Sequence, residues 1–446
     1  MKSALAIALQ SLRSAVRSRM VYTLGIFLLL LSIGLPIILK GDGTLTGQLQ
    51  LSLTYTLGAL RFLLAITGIW VGCSAVSNDI TARQMYLVAT KPIHGITIWL
   101  GKWLGVMTLL AALLVICSDI IFVMTSYTVN RMASPKEQQQ LQEEILVARE
   151  RISPRSTTIN ERADVILTKK IKDGSLPTGM SEETALKEIR SALWLEHNRL
   201  APGESCSWRF LRPAHLKDAH HDQLQYKLTS SKREVNQIHG QWLIGSIPLK
   251  QTAHSLRDKP STLRLPPESF DAQGILEIQY VNNDPALFTV LFPPQSGPTL
   301  WCYAGRLGEN YIRAILIILI QLGFWSAIGI TAGCLFSLPV AAFFTAWFVL
   351  LSSLSSYLYK LSNEFAFGGS EHGLLNQWMG PFYWILYQAI RPLHSEPILF
   401  MLTQGERISW QLVTSEFFIR LVVYCSLLAG MGHLAIKHRQ LGLPSK

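Results

Sequence analysis

The sequence predicts an α-helical polytopic membrane protein with six transmembrane helices, cytoplasmic N and C termini and an extracytoplasmic α+β insert. Three observations carry that expectation: clustered apolar runs, the placement of Lys and Arg around them, and one long polar interruption between the third run and the fourth. Of 446 residues, 49% are apolar and only 15% charged, too few charges for an all-soluble chain of this length.

The first run, "VYTLGIFLLLLSIGLPIIL" (21–39), carries no charge. At about 1.5 Å per residue it matches a hydrocarbon layer of about 30 Å. Its apolar core is longer than that of a secretory signal and no small-x-small cleavage site follows, so it reads as an uncleaved anchor. Further runs fall at 56–76, 101–125, 312–336, 339–358 and 414–436. Lys2, Arg13, Arg17 and Arg19 precede the first run, and Lys437, Arg439 and Lys446 follow the last, with no acidic residue in either flank. Basic residues collect on the cytoplasmic side. Both ends, and the 77–100 connection with Arg83 and Lys91, are therefore expected inside, and the region 126–310 outside. The net charge of +11 sits mainly around the spans, because residues 126–310 hold 23 Lys and Arg against 21 Asp and Glu. That is an orientation signal and argues against a nucleic-acid partner.

In the insert, residues 134–199 read as helical. Ser134, Pro135 and Glu137 form an N-terminal signature, and Leu141, Ile145, Ala148 and Ile152 form one stripe. A second helix is expected after Ser181, with Glu182 and Glu183 in its first turn. From 205 to 305 the period becomes two, as in "ILEIQYV" (275–281), "LQYKLTS" (224–230) and "GQWLIGSI" (240–247), which predicts a β-sandwich-like part. Cys73, Cys117, Cys334 and Cys425 lie in spans. Cys206 and Cys302 fall in the first and last predicted strands, where a disulfide would close the sandwich in an oxidising compartment; two free buried thiols are the alternative. His215, His220, His221, His239 and His254 show no paired-ligand spacing and HExxH is absent, so no metal is expected. No catalytic constellation emerges either.

Three ionisable residues fall inside the apolar runs: Arg61, Asp119 and Arg420. Such groups pair or face water, so Asp119 is expected to pair with Arg61 or Arg420, as packing glue or as the lining of a polar path.

The 77–100 connection carries the most specific signal. "SNDITARQMYLVAT" (77–90) begins with the N-capping types Asn78 and Asp79 and reads as a short amphipathic helix. Lys91-Pro92 ends it, because proline disfavours helical geometry in the residue before it. The chain then returns to lipid with Lys102 at the interface and Gly101 and Gly105 at the spacing that lets helices approach closely. "GITIWLGKW" is not a phosphate-binding loop: five residues separate its glycines and Trp103 follows the lysine. This chain therefore does not hydrolyse ATP by that route.

The arrangement resembles the permease subunits of ABC exporters, the ABC-2-type class. Lys91-Pro92-Ile93 and Gly101-Lys102-Trp103-Leu104-Gly105 match its loop and the start of its third span. Residues 2–19 match its amphipathic elbow helix, with Leu5, Leu9, Leu12 and Val16 on one stripe and Arg13 and Arg17 elsewhere. The broken segment within 360–412 matches the segment between its fifth and sixth spans. The resemblance covers 1–125 and 311–446. The insert is an addition to it, and Asp79-Ile80-Thr81-Ala82 stands where Glu-x-Gly-Thr is often found. It implies a non-enzymatic chain in the bacterial inner membrane that holds no cofactor, with ATP and Mg bound by a partner ATPase. The expected partners are that ATPase, a second permease copy or related permease, and membrane lipid. Asp79, Arg83, Gln84 and Tyr86 would contact the ATPase, with Lys91 and Pro92 fixing the helix end. The alternative is a membrane-anchored extracytoplasmic binding or assembly protein without transport activity.

Overall fold

The computed structural model describes residues 2–39, 45–82, 94–132, 147–154, 157–173, 182–216, 222–230, 237–244, 247–248, 252–255, 261–266, 269–271, 273–284, 288–293, 297–353, 382 and 398–438. They divide into a helical unit, formed by 2–132, 306–353 and 398–438, and a second unit whose described residues lie mainly within 147–305.

The helical unit opens with α1 (Lys2–Arg17) and α2 (Arg19–Ile38), separated by Ser18 in an extended conformation. Then follow α3 (Leu45–Thr81) and α4 (Gly95–Met132). After the insert come α7 (Leu307–Leu335), α8 (Leu338–Ser353), the short α9 (Ile398–Thr403), and a final run of α10 (Trp410–Glu416), a π-helical stretch (Phe417–Tyr424) and α11 (Cys425–His438). Among the described residues, five helices are long and apolar enough to cross a membrane: α2, α3, α4, α7 and the run Trp410–Lys437. Of the fifth expected span, α8 is the described part. Most of the broken segment within 360–412 lies outside the described residues.

With 37 and 38 residues, α3 and α4 are each about 55 Å long, well beyond the hydrocarbon layer of about 30 Å. The runs 56–76 and 101–125 are only their middles. Hydropathy marks the stretch that suits lipid, whereas the backbone ladder continues until something interrupts it.

The packing is decided by glycine. A Cβ on Gly329 would lie 2.6 Å from the Ile69 carbonyl oxygen, one on Gly333 2.6 Å from that of Cys73, and one on Gly72 2.8 Å from that of Ser326. Lipid tails are as apolar as leucine, so helices in a bilayer associate through such close backbone contact. These contacts also give the helix directions. Positions 69 and 73 meet 329 and 333 in rising order, so α3 and α7 run parallel. Gly323 meets Leu421, and Thr331 Oγ1 donates to the Leu428 carbonyl, so the last run is parallel to α7 as well. Trp99 Nε1 donates to Thr331 Oγ1 and Trp103 Nε1 to the Gly323 carbonyl, which makes α4 antiparallel to α7.

The second unit departs from its helical expectation at the start. Val147–Ile152 is a strand, β1, so Ala148 and Ile152 do not continue a helical stripe. Val147 and Ala148 are buried against the domain, and strand pairing with the last strand overrides the local period. Helices α5 (Thr157–Lys172) and α6 (Glu182–His197) follow. Eleven further strands among the described residues form three sheets. Thr299–Arg306 (β12) lies between β1 and Gln223–Tyr226 (β4), and Ser261–Arg264 (β9) adds to β4. Ser205–Leu211 (β3), Ile275–Val281 (β10) and Gln237–Ile244 (β6) are antiparallel, with Ile247–Pro248 (β7) and Thr252–Ser255 (β8) on β6. Arg199–Leu200 (β2), Val290–Leu291 (β11) and Thr229–Ser230 (β5) make the smallest sheet.

The alternation in "ILEIQYV" decides the face: Leu276, Ile278 and Tyr280 are fully buried, opposite Phe210, Trp208 and Cys206 of β3. The shared core centres on Trp242, with Tyr226 and Tyr280 rings 4.8 and 4.9 Å away. Gly240 is compulsory there, since a Cβ would sit 2.0 Å from the Tyr280 hydroxyl.

Cys206 and Cys302 are both buried and free, so the expected disulfide is not formed. They belong to different sheets. The Cys206 thiol donates to Asn198 Oδ1 at 3.7 Å, while Cys302 lies beside Asp222. Burial pushes the Cys206 thiol up from 9.0 to about 12, and raises Cys302 in the same direction. The unfolded thiol releases its proton first, so a rise of pH above 9.0 favours unfolding.

Two expectations follow. Iodoacetamide at pH 8 should leave Cys206 and Cys302 unmodified in the native chain and modify both after denaturation; a peptide mass joining them would refute the free state. Gly333→Val should lower thermal stability in detergent by about 1–3 kcal/mol through overpacking. Gly430→Ala, whose Cβ meets nothing within 4 Å, should leave it unchanged. Equal melting of the two variants would remove the role given to the α3–α7 contact.

Candidate functional site at the α3–α4 joint

No proline or turn residue separates Ser77 from the span before it, and α3 continues to Thr81. Asn78 and Asp79, expected as N-caps of a separate helix, lie instead in the closing turns of α3, where the Ala82 N–H donates to the Asn78 carbonyl at 2.8 Å. Arg83, Gln84, Tyr86, Lys91 and Pro92 lie outside the described residues.

The next described element begins at Gly95, and Lys102 reaches back from it. Its ammonium donates to Asp79 Oδ2 at 2.5 Å and also to the Ala75 carbonyl. The Lys102 side chain is 7% exposed and that of Asp79 31%. Lys102 thus joins the end of α3 to the start of α4. The site suits a cation twice over, because the C-terminal turns of a helix are its negative end. Asp79, expected at an ATPase surface, gives one carboxylate oxygen to this bond.

Gly101 and Gly105 flank Lys102 and receive α1. A Cβ on Gly101 would lie 2.8 Å from the Ala4 carbonyl oxygen, and one on Gly105 2.6 Å from that of Ala8. The alanine face of α1 thus rests on α4. The Leu5, Leu9 and Val16 side of α1 stays exposed, as do Arg13 and Arg17 and, at the start of α2, Arg19. Trp99 and Trp103 stack at 6.2 Å on the same part of α4 and tie it to α7.

The intramembrane charges meet differently from expectation. Arg420 pairs with Glu416 at 2.5 Å across the start of the π stretch, and its guanidinium lies 5.9 Å from the Phe324 ring centre. Arg61 lies in the electrostatic field of Arg420 and Glu416. Asp119 is exposed on α4 and forms no ion pair among the described residues. A partner one turn away on the same helix takes Arg420 before a partner on another helix can. Glu416 was open to view, four residues before Arg420 at the edge of an apolar run. Arg313 belongs with it: it donates to the Ile408 carbonyl and lies 5.3 Å from the Trp410 ring centre. Among the described residues no group of three or more His, Cys, Asp and Glu side chains is placed to hold a metal.

No family model, curated protein or solved structure matches the chain.

The Asp79–Lys102 bond is testable by a double-mutant cycle in detergent. Asp79→Asn strands a buried ammonium and should cost about 2 kcal/mol, less than a fully buried pair because Asp79 is partly exposed. Adding Lys102→Met should recover most of that loss. Additive losses would mean the two residues do not interact.

Proposed function

We propose that the chain is the membrane-spanning permease subunit of an ABC-type exporter, moved by a separate ATPase. One observation carries the reading. The amphipathic α1 is seated on the start of α4 by Gly101 and Gly105, and the same turn is bonded through Lys102 to the end of α3. A push on the connection between α3 and α4 would therefore be felt by both helices and the elbow together.

Helix directions support six crossings. Since α7 and the last run are parallel, one further crossing is needed between them, and α8 supplies its start. The start of α2 and the end of α11 then share a side with the α3–α4 joint, and the basic flanks make that side cytoplasmic. The insert would leave and return on the opposite side. In this reading Asp79, Arg83, Gln84 and Tyr86 face the ATPase, a second permease copy or related subunit completes the path, and the membrane is the bacterial inner membrane.

The second reading, an anchored extracytoplasmic binding or assembly protein, draws on the β-rich unit, which has an aromatic core of its own. Affinity purification of the full chain from its native membrane distinguishes the two. The permease reading expects an ATPase with a phosphate-binding loop in the eluate. It also expects Arg83→Glu with Tyr86→Ala to reduce that association by about tenfold, the loss of one good contact. Recovery without any ATPase, or undiminished association of the variant, would favour the anchor.

A further inference from the structure

The first helix presents three different sides. Ala4 and Ala8 rest on α4 at Gly101 and Gly105. Leu5, Leu9 and Val16 are exposed on a second side, and Lys2, Arg13 and Arg17 are exposed on a third. At about 100° per residue those three basic residues share a sector of about 60° that borders the leucine stripe. A helix with a cationic edge beside an apolar stripe suits the boundary between lipid headgroups and acyl chains. The place of α1 in the chain matches: Ser18 alone separates it from α2, which is long and apolar enough to cross a membrane.

Arg13 and Arg17 do more than add charge to the flank of a span. They lie one turn apart, at neighbouring places on the helix surface, and line one shallow groove of about 650 Å³ together with Gln10 and Ser14. Leu9 belongs to the same groove and to the exposed stripe. Neither arginine has an ion pair or hydrogen bond among the described residues, and the groove has no carboxylate in its lining. From residue 1 to 102 the sequence holds two acidic residues, Asp42 and Asp79, and Asp79 is bonded to Lys102. Two guanidiniums at this spacing match the oxygens of a phosphate, and the hydroxyl and amide beside them add donors. The charge of the groove also selects among phosphate heads. A choline or ethanolamine would bring another positive charge toward Arg13 and Arg17, whereas a glycerol would not.

We propose that α1 binds an anionic phospholipid, with the phosphate between Arg13 and Arg17 and the acyl chains along Leu5, Leu9 and Val16. The lipid takes the sides of α1 that α4 leaves open, so it holds the elbow to the membrane without displacing it from Gly101 and Gly105. The proposal rests on the chain lying in a membrane and not on the exporter reading.

The test uses the full chain, without an ATPase, in phosphatidylcholine nanodiscs holding a trace of phosphatidylglycerol with a diazirine in one acyl chain. After irradiation, labelled peptides should map to residues 2–20, and unlabelled phosphatidylglycerol should compete saturably. Phosphatidylcholine bearing the same diazirine should label them about tenfold less, and raising the salt to about 0.5 M should narrow that difference. Arg13→Gln with Arg17→Gln should bring the anionic probe down to the level of the phosphatidylcholine probe. Arg131→Gln, at the exposed end of α4, should not. Glycerol phosphate, which has the head and no chains, should not compete. If the double variant fails to fold, the headgroup preference and competition in the native chain decide. Equal labelling by the two probes, undiminished labelling of the folded double variant, or displacement by glycerol phosphate would each overturn the proposal.

Discussion

The helical unit depends on one contact, the backbone-to-backbone approach of α3 and α7 at Gly72, Gly329 and Gly333. Each of these glycines faces a main-chain oxygen at a distance where no Cβ fits. In lipid there is no hydrophobic gain from burying leucine against leucine, so the association draws on close packing. Once α3 and α7 lie side by side, the remaining helices have defined places. Through Trp99 and Trp103, α4 bonds to α7; the last run meets α7 at Gly323 and Thr331; and α1 is carried on α4.

The same device is used twice with different results. Between α3 and α7 the glycines join two long helices where Ile69 to Cys73 faces Ser326 to Gly333. At Gly101 and Gly105 they seat a short amphipathic helix whose leucine stripe remains uncovered. Lys102 lies between those two glycines. Its long side chain crosses to Asp79 and the Ala75 carbonyl while the glycines face the other way, so one turn of α4 holds two neighbours. A lysine in such a place is costly unless bonded, and its partner comes from the end of the preceding helix.

Much of the β-rich unit was legible strand by strand. Alternation in 275–281 told which side chains point inward, because a strand with one buried face has no other way to satisfy its apolar residues. Pairing was not legible. Cys206 and Cys302 looked like ends to be joined, yet they sit in different sheets with Asn198 and Asp222 as neighbours. Val147–Ile152 read as the end of a helix, and became a strand because the edge beside β12 was there to receive it.

The sequence alone determined which stretches are apolar enough for lipid, where the amphipathic first helix breaks from the second, and that glycine pairs at four-residue spacing would matter. Those are local properties, set by side-chain transfer energies and backbone propensity within a few turns. Only the tertiary structure decided that α3 and α4 continue far beyond their apolar middles, that Gly101 and Gly105 receive α1, and that Lys102 belongs to Asp79. It also gave Arg420 to Glu416 and left Asp119 outside that pair. Those outcomes turn on which groups lie within a few ångströms of each other, and ion pairs and close helix contacts are too short-ranged for spacing along the chain to reveal them.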